Sequence, residues 1–382
     1  MILLKNCRVF SPTPQGTKDI LIAGEKIAAI VDRSSTVDWQ PIEIIDVKGN
    51  WVLPGLIDSH AHIAGAGGEG GPATRTGGLT IEQIFDGGIT TVVGCLGTDG
   101  ITRSVESVLM KAKGLKEQGI SAYIYTGSYQ IPTPTITGSV SKDIAMIEEV
   151  IGVGEVAIAD HRSSFPNSEE FIKLSQEAKV GGMLGNKSGI VNVHLGDNSS
   201  PFALIYRAAE QDGIHFTRFL PTHCNRSRKV FAEAKVYGKK GPIDLTTGSY
   251  PFYPDIVVKP STAFFELLDA GVPVENITFS SDAGGSLPQF DDKGNFVKIA
   301  TGLPVSMFDE LRDMLEKCRD DEKMIEAALR TVTANPARLL KLENKGTIKV
   351  GGDADLLVLK KNRREIDYLI ARGVLLRDQD KN

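Results

Sequence analysis

Short apolar runs recur along the middle of the chain, and stretches with the apolar periodicity of a helix lie between most of them. The runs have the length and composition of buried strands. Eight strands are predicted, at residues 52–57, 90–96, 122–126, 150–155, 190–193, 216–220, 243–246 and 277–280. Helical patterns include residues 81–85, 105–117, 168–178 and 261–270. This alternation predicts an α/β protein whose core is a (β/α)8, or TIM, barrel.

The two ends of the chain have a different pattern, that of short strands joined by tight turns. Residues 20–23 and 27–30 flank a Gly-containing turn as in a hairpin, and residues 346–359 repeat strand, turn and strand. Neither end is long enough for a core of its own. We therefore expect residues 1–52 and 346–382 to pair into one small discontinuous β-sandwich domain, with residues 53–345 forming the barrel. A doubly wound sheet is the alternative, but it would not bring both ends of the strand series to one point.

Histidine and aspartate side chains stand at the ends of several predicted strands. His60 and His62 follow the first one, and residues two apart on a strand point to the same side. His194 and His223 each follow an apolar run, and Asp282 follows another. Imidazole and carboxylate groups that converge in this way are typical ligands of a divalent cation. The two other histidines are interpreted as structural: His215 begins a strand at the opposite end of the barrel, and His161 is expected to brace the site.

Composition and charge give no support for several classes of function. The net charge is −5, and Lys and Arg are dispersed, so nothing favours binding to nucleic acid or to a membrane surface. The four cysteines have no C-x-x-C spacing and are interpreted as reduced thiols. No apolar run is long enough to span a bilayer or to form a signal-peptide core. These features predict a soluble, cytoplasmic protein.

Several of these segments resemble a known family. The run from Leu53 to His62, together with Gly346-Thr347-Ile348 and Gly352-Asp353-Ala354-Asp355-Leu356, resembles the amidohydrolase superfamily. A second set of motifs is similar to the β-aspartyl (isoaspartyl) dipeptidases within it: Gly67-Gly68-Glu69, Gly97-Thr98-Asp99, Thr126-Gly127-Ser128-Tyr129, Asp160-His161-Arg162-Ser163, Pro221-Thr222-His223-Cys224-Asn225-Arg226 and Ser281-Asp282-Ala283-Gly284-Gly285-Ser286. The resemblance covers nearly the whole chain in the right order.

The resemblance implies two divalent metal ions, usually zinc. His60 and His62 would bind the first with Asp282, and His194 and His223 the second. Other members have a carboxylated lysine as the bridging ligand, at the position where this chain has Glu155. A glutamate can also bridge two cations with one oxygen each, although it is shorter, and Gly152 and Gly154 would permit a closer backbone approach. Asp160 is the alternative bridge. The resemblance also implies a homo-oligomer, an octamer in the family.

The implied reaction is hydrolysis of the isopeptide bond of a β-aspartyl dipeptide by a hydroxide that bridges the metals. Asp282 would be the general acid and base, and Tyr129 would donate a hydrogen bond to the oxyanion. Such a substrate carries two carboxylates and one ammonium. Arg162 and Arg226 are predicted to bind carboxylates and Glu69 the ammonium. The pocket would be completed by Gly67, Thr98, Tyr129 and Ser286.

Two other functions are consistent with the same sequence features. A cyclic-amide hydrolase, such as a dihydroorotase or hydantoinase, would share the metal ligands but would not need both Glu69 and two arginines. A non-catalytic binding protein on the same fold would lack the metals. Metal content and a substrate panel distinguish the three.

Overall fold

The chain begins with five strands that do not alternate with helices. The computed structural model describes residues 1–32, 42–210, 214–291 and 296–378. The strands are β1 (Ile2–Phe10), β2 (Pro14–Ala23), β3 (Lys26–Val31), β4 (Glu43–Asp46) and β5 (Trp51–Pro54). β1 pairs antiparallel with β2 and parallel with β4 and β5, and β2 pairs antiparallel with β3.

The middle of the chain contributes parallel strands that are buried along almost their whole length. They are β6 (Leu56–Ala61), β7 (Ile89–Gly94), β8 (Ser121–Thr126), β9 (Val150–Ile158), β10 (Ile190–Leu195), β11 (Phe219–Thr222), β12 (Ile243–Thr246) and β13 (Ile277–Ser280). β6 to β11 pair in chain order in one sheet, and β12 pairs with β13 in another. Burial on both faces explains why these strands are continuous apolar runs in the sequence.

Hydrogen bonds join these two sheets at both of their ends. Between β11 and β12, the amide of Cys224 donates to the carbonyl of Asp244 at 3.1 Å. Between β13 and β6, the amide of Asp282 donates to the carbonyl of His60 at 3.0 Å, and that of His62 to Ala283 at 2.7 Å. The result is a curled parallel sheet consistent with a TIM barrel.

The helices lie between the strands, as the sequence predicts. They are α1 (Ile81–Asp86), α2 (Val105–Glu117), α3 (Val140–Met146), α4 (Ser168–Gly185), α5 (Ala203–Ala209), α6 (Arg228–Tyr237), α7 (Pro260–Asp269), α8 (Val305–Cys318), α9 (Glu322–Val332) and α10 (Ala334–Leu339). Capping boxes start α1 and α4, where Thr80 pairs with Gln83 and Asn167 with Glu170. Within the described ranges, no helix combines the length and apolar character that a membrane crossing needs.

The end of the chain returns to the first sheet. A hairpin of β14 (Ser286–Phe290) and β15 (Phe296–Thr301) precedes α8, and β16 (Leu356–Leu359), β17 (Ile366–Ala371) and β18 (Val374–Asp378) follow α10. β16 pairs antiparallel with β5, so strands from both ends share one eight-stranded sheet. The β3 edge also bonds to residues 351–354, which shows that this sheet curls back on itself. The finer description as a β-sandwich stays a prediction.

Three predicted strands differ from the observed ones. Residues 346–348, predicted as the first strand of the C-terminal pair, form no strand. The run at 52–57 is two strands, since Trp51–Pro54 joins the terminal sheet and Leu56–Ala61 begins the parallel one. The run at 216–220 begins as a 3-10 turn, Phe216–Arg218, before β11. An apolar run shows that a segment is buried, but it does not show against which sheet.

The sheet formed by the chain ends has its own apolar core, which allows a stability test. Leu356 on β16 is fully buried there, beside Leu4, Ile20 and Val52 of the N-terminal strands. Leu356→Ala should lower the free energy of unfolding by about 2–5 kcal/mol, because it leaves a cavity. Urea denaturation measures the change. Val374→Ala on β18, where the side chain is 55% exposed, is the control and should change stability little.

Candidate active site

Four histidines and one glutamate converge at the carboxyl ends of the parallel strands. His60 lies in β6 and His62 follows it, His194 lies in β10, and His223 follows β11. Glu155 lies in β9 and is fully buried, as is His60, and the other three imidazoles are at most 8% exposed. The structure therefore brings together side chains that are far apart in the sequence.

The carboxylate of Glu155 divides the four imidazoles into two pairs. Its Oε1 lies 2.6 Å from Nδ1 of His194 and 3.0 Å from Nε2 of His223. Its Oε2 lies 3.4 Å from Nε2 of His60 and 3.7 Å from Nε2 of His62. One oxygen thus faces each pair, the arrangement that a carboxylate bridging two cations requires.

Asp282 lies on the side of the first pair. Its Oδ1 is 3.1 Å from Nε2 of His62 and 3.6 Å from Nε2 of His60. The backbone φ is 53° at Asp282 and 61° at His223, a left-handed conformation that residues other than glycine rarely adopt. Such strained residues cluster at functional sites.

Several buried polar atoms of this cluster indicate that it is built for cations. Both ring nitrogens of His60, Oε2 of Glu155 and Oδ1 of Asp282 have no hydrogen-bond partner among the described residues. Buried polar atoms are normally paired, so atoms left over at one point fit metal ligands. The same part of the chain contains two compact donor groups, one of Glu155, His194 and His223, the other of His60, His62, Cys95 and Glu155.

Two members of the cluster, Glu155 and His223, have the protonation that metal binding needs. Burial alone would raise the pKa of Glu155, but the imidazoles of His60 and His194 outweigh it and hold that pKa well below its usual range. Burial, with the charge of His194, lowers the pKa of His223 to about 4. Glu155 is therefore a carboxylate and His223 a neutral imidazole at neutral pH, the forms that bind metal ions. For His60 and His62 burial would lower the pKa, but Cys95 and the carboxylates of Glu155 and Asp282 outweigh it and raise it well above its usual value.

Gly152 and Gly154, which precede Glu155 on β9, allow this strand to approach the neighbouring strand β10 closely. A Cβ on Gly152 would lie 2.4 Å from the carbonyl oxygen of Ile190, and one on Gly154 would lie 2.8 Å from that of Asn192. Glycine thus lets β9 lie against β10 here, which sets the backbone from which Glu155 extends. Asp160 contacts Nε2 of His194, away from the Nδ1 that faces Glu155.

Tyr129 lies beside the histidine cluster. Its hydroxyl is 2.8 Å from Nδ1 of His194, and the side chain is buried. Burial, and then the charge of Glu155, raise the pKa of Tyr129 well above its ordinary value. The phenol therefore stays protonated and can donate a hydrogen bond.

A second group of predicted residues surrounds Glu69. Thr98 donates a hydrogen bond to its Oε1 at 3.0 Å, and Ser286 donates to its Oε2 at 3.1 Å. Nη1 of Arg162 lies 3.5 Å from Oε1. The segments that follow β7, β9 and β13 thus place polar side chains around the carboxylate of Glu69, which itself lies in the loop after β6.

The remaining predicted residues lie next to these. Nη1 of Arg226 is 3.3 Å from Nε2 of His194 and also donates to the carbonyl of Leu195. Gly67 has a φ of 77°, and a Cβ there would lie 2.4 Å from the carbonyl oxygen of Thr74, so glycine is required in this loop.

Sequence reasoning missed two neighbours of the cluster and placed one histidine wrongly. Sγ of Cys95 lies 3.8 Å from Nδ1 of His62, and Thr246 contacts Nδ1 of His223 at 2.7 Å. Cys95 directly follows β7, a strand-end position like those of the histidines, which is the signal that was available. His161 is 87% exposed, so it braces little beyond a 3.6 Å contact with Asp160.

Imidazoles and carboxylates gathered at the carboxyl ends of parallel strands define a metal-dependent enzyme of the α/β type. A sequence profile of the Amidohydrolase family matches residues 51–376, and the chain belongs to this family.

Relatives of known name and structure agree with this placement. The crystal structure of a β-aspartyl dipeptidase from Fervidobacterium islandicum AW-1, in complex with β-Asp-Leu, is 42% identical, with a TM-score of 0.89 over 99% of this chain and 97% of that one. A dihydroorotase of Streptococcus pyogenes serotype M3 is 26% identical over 94% of this chain and 90% of its own length. An L-hydantoinase of Paenarthrobacter aurescens is 24% identical over 94% and 85%.

Proposed function

We propose that this protein hydrolyses the isopeptide bond of β-aspartyl (isoaspartyl) dipeptides. The observation that carries the proposal is the position of Glu69, held by Thr98, Ser286 and Arg162 close to the histidine cluster. An acceptor for an ammonium group beside a guanidinium matches the free amino acid end of such a substrate. The similarity to a dipeptidase with β-Asp-Leu bound supports the same substrate.

The residues that would hold two divalent cations, with zinc as the proposed metal, form two sets. His60, His62 and Asp282 would form the first set and His194 and His223 the second, and Glu155 would contribute a carboxylate oxygen to each. When bound, such cations lower the pKa of water to about 7 and polarise an amide carbonyl. The carboxylate oxygens of Glu155, each facing one imidazole pair, support this assignment over Asp160.

The other groups move protons and orient the substrate. Asp282 accepts the proton of the attacking water and returns it to the leaving amine, so that one carboxylate is first base and then acid. Tyr129 donates its hydrogen bond to the carbonyl oxygen as negative charge develops there. Glu69 receives the ammonium, Arg162 and Arg226 receive the carboxylates, and Gly67, Thr98 and Ser286 complete the pocket.

The architecture around the site is part of the proposal. We infer a closed (β/α)8 barrel over residues 53–345, with a small β-sandwich domain from residues 1–52 and 346–382. Hydrogen bonds at both ends of the curled sheet and the pairing of β5 with β16 support this division. A homo-oligomer, an octamer as the family resemblance implies, stays a prediction.

A cyclic-amide hydrolase is the second candidate, because a dihydroorotase and a hydantoinase are among the relatives. Those ring substrates carry no ammonium, so they give Glu69 no cationic partner. A panel of β-Asp-Leu, α-Asp-Leu, dihydroorotate and hydantoin separates the candidates, and turnover of the rings without the dipeptide would overturn our proposal.

The pocket predicts selectivity between aspartyl isomers. The α-isomer moves the free carboxylate and brings the ammonium one carbon closer to the amide, so β-Asp-Leu should be strongly preferred. Glu69→Gln and Arg226→Ala should each lower kcat/KM for β-Asp-Leu, since a lost charge-assisted contact costs ~1.5–3 kcal/mol. This corresponds to about one to two powers of ten in rate.

Matched variants control for charge alone. Glu106 lies in the first turn of α2, and Arg228 on α6 pairs with Glu266 at 2.9 Å. Glu106→Gln and Arg228→Ala should keep kcat/KM near the wild-type value. Equal turnover of both isomers, or unchanged kinetics in both site variants, would contradict the dipeptidase assignment, provided metal content is unchanged.

A further inference from the structure

Asp160 is a buried carboxylate at the junction of the histidine cluster and the substrate pocket. Its side chain is 3% exposed. Oδ1 accepts hydrogen bonds from the backbone amide of Arg162 at 2.8 Å and from its Nε at 3.0 Å. Oδ2 accepts one from Nη2 of Arg162 at 2.9 Å and lies 3.0 Å from Nε2 of His194. One carboxylate therefore holds a metal-side imidazole and a pocket guanidinium together.

The contact with Asp160 gives the Nε2 side of His194 a carboxylate acceptor, while Glu155 faces the other ring nitrogen. Nδ1 faces Oε1 of Glu155, and Nε2 faces Oδ2 of Asp160. Nδ1 lies 2.6 Å from the Glu155 oxygen and 2.8 Å from the hydroxyl of Tyr129. With a cation held by Oε1 of Glu155, Asp160 would be the carboxylate left to accept the N–H of Nε2, and the lone pair of Nδ1 would face the metal side. The other described neighbours of Nε2 are guanidinium nitrogens of Arg162 and Arg226, at 3.2 and 3.3 Å, and a guanidinium has no acceptor.

The contact with Arg162 fixes which edge of the guanidinium faces the pocket. Asp160 binds Nε and Nη2 in a fork, so Nη1 is left on the side of Glu69, 3.5 Å from Oε1. The guanidinium also lies over the ring of Tyr129, with 5.3 Å between Cζ and the ring centre. A planar group held on one edge and one face has a single orientation.

We propose that Asp160 is a positioning residue that orients His194 for the metal and Arg162 for the substrate at the same time. The part that concerns Arg162 rests on the proposed function. The part that concerns His194 does not, because it is tested with the metal alone.

The test is a double-mutant cycle with two readouts. Metal-free protein is titrated with Zn²⁺ against a chromophoric chelator, and KM and kcat are measured with β-Asp-Leu. Asp160→Asn should weaken zinc binding by about 10–100-fold, as loss of such an outer hydrogen bond does. Arg162→Ala should leave zinc affinity unchanged and raise KM.

The double variant decides whether Asp160 acts through Arg162. Its KM should be no worse than that of Arg162→Ala alone, because groups that work through one another are not additive. Its zinc affinity should equal that of Asp160→Asn. If the asparagine variant is insoluble, Asp160→Ser takes its place, since the hydroxyl can still accept one N–H bond.

A second buried carboxylate provides the control for a merely structural role. Asp143 is also fully buried and accepts hydrogen bonds from the amides of Ile136 and Thr137, both at 2.8 Å. Asp143→Asn should lower the melting temperature without changing zinc affinity.

Wild-type zinc affinity in Asp160→Asn would overturn the role toward His194, and additive effects on KM would overturn the role toward Arg162. Wild-type protein that binds zinc but does not hydrolyse β-Asp-Leu would refute the proposed function, and the zinc titration would then decide the proposal on Asp160.

Discussion

Removing the divalent cations that we propose for this site should abolish hydrolysis of β-Asp-Leu, with kcat/KM falling by at least about a thousandfold. Cations in such sites stabilise the charge of the transition state by several kcal/mol, and each 1.36 kcal/mol is a factor of about ten in rate. The purified protein should contain nearly two divalent cations per chain, measured by elemental analysis. Chelation should remove the activity and added zinc should restore it.

His60→Asn tests the same expectation within the chain. Both ring nitrogens of His60 lack a hydrogen-bond partner among the described residues, so its loss removes a ligand and breaks no described hydrogen bond of the side chain. The variant should stay folded by circular dichroism and lose one metal ion per chain. His215→Asn, at the start of the 3-10 turn before β11, should keep both ions. Full activity of metal-free protein would refute the mechanism.

Replacement of Glu155 should have an effect of similar size, because its two oxygens face both imidazole pairs. Glu155→Ala should lose metal and rate together, with kcat/KM lower by about a thousandfold or more, as for the metal-free protein. Glu155→Gln keeps the volume but halves the number of carboxylate oxygens, and should retain less metal than the wild type.

Reconstitution separates a glutamate bridge from a modified lysine. Activity of metal-free wild-type protein should return with zinc alone, in buffer stripped of CO2, because no carbamate has to form. Glu149→Gln is the control: Glu149 binds Lys116 at 3.1 Å, outside the site, and its loss should not affect metal content. A requirement for bicarbonate during reconstitution would show that a lysine is the bridge.

The sequence predicted the location of the candidate active site better than the contacts between its side chains. His60, His194 and His223 each lie at a predicted strand end. Because parallel strands end at the same edge of a sheet, the sequence predicted that these histidines are neighbours. That each oxygen of Glu155 faces one pair of imidazoles could not be predicted, because it depends on how closely β9 approaches β10 at Gly152. A spacing along the chain does not contain that distance.

The boundary between β5 and β6 could not be predicted from the sequence for a similar reason. Gly55 separates β5 from β6, and a Cβ there would lie 2.2 Å from Oγ1 of Thr90. The change of sheet at Gly55 is therefore set by a residue 35 positions away. Asp160 was predicted only as an alternative bridge, and Cys95 was counted only among the reduced thiols. Their contacts with His194 and His62 arise only when separate strand ends meet.

The pairing of β5 with β16 has a consequence for how the chain is made. Val52 and Val358 are register partners, yet a ribosome produces the second about 300 residues after the first. At about 5–20 residues per second, the ribosome completes β16 on the order of 15–60 s after β1, β2 and β5. Until then the inner faces of these three strands lack the strand that covers them. During this time Leu4, Ile20, Ile22 and Val52 lack part of their core, so the nascent chain exposes apolar strands that can pair with other chains.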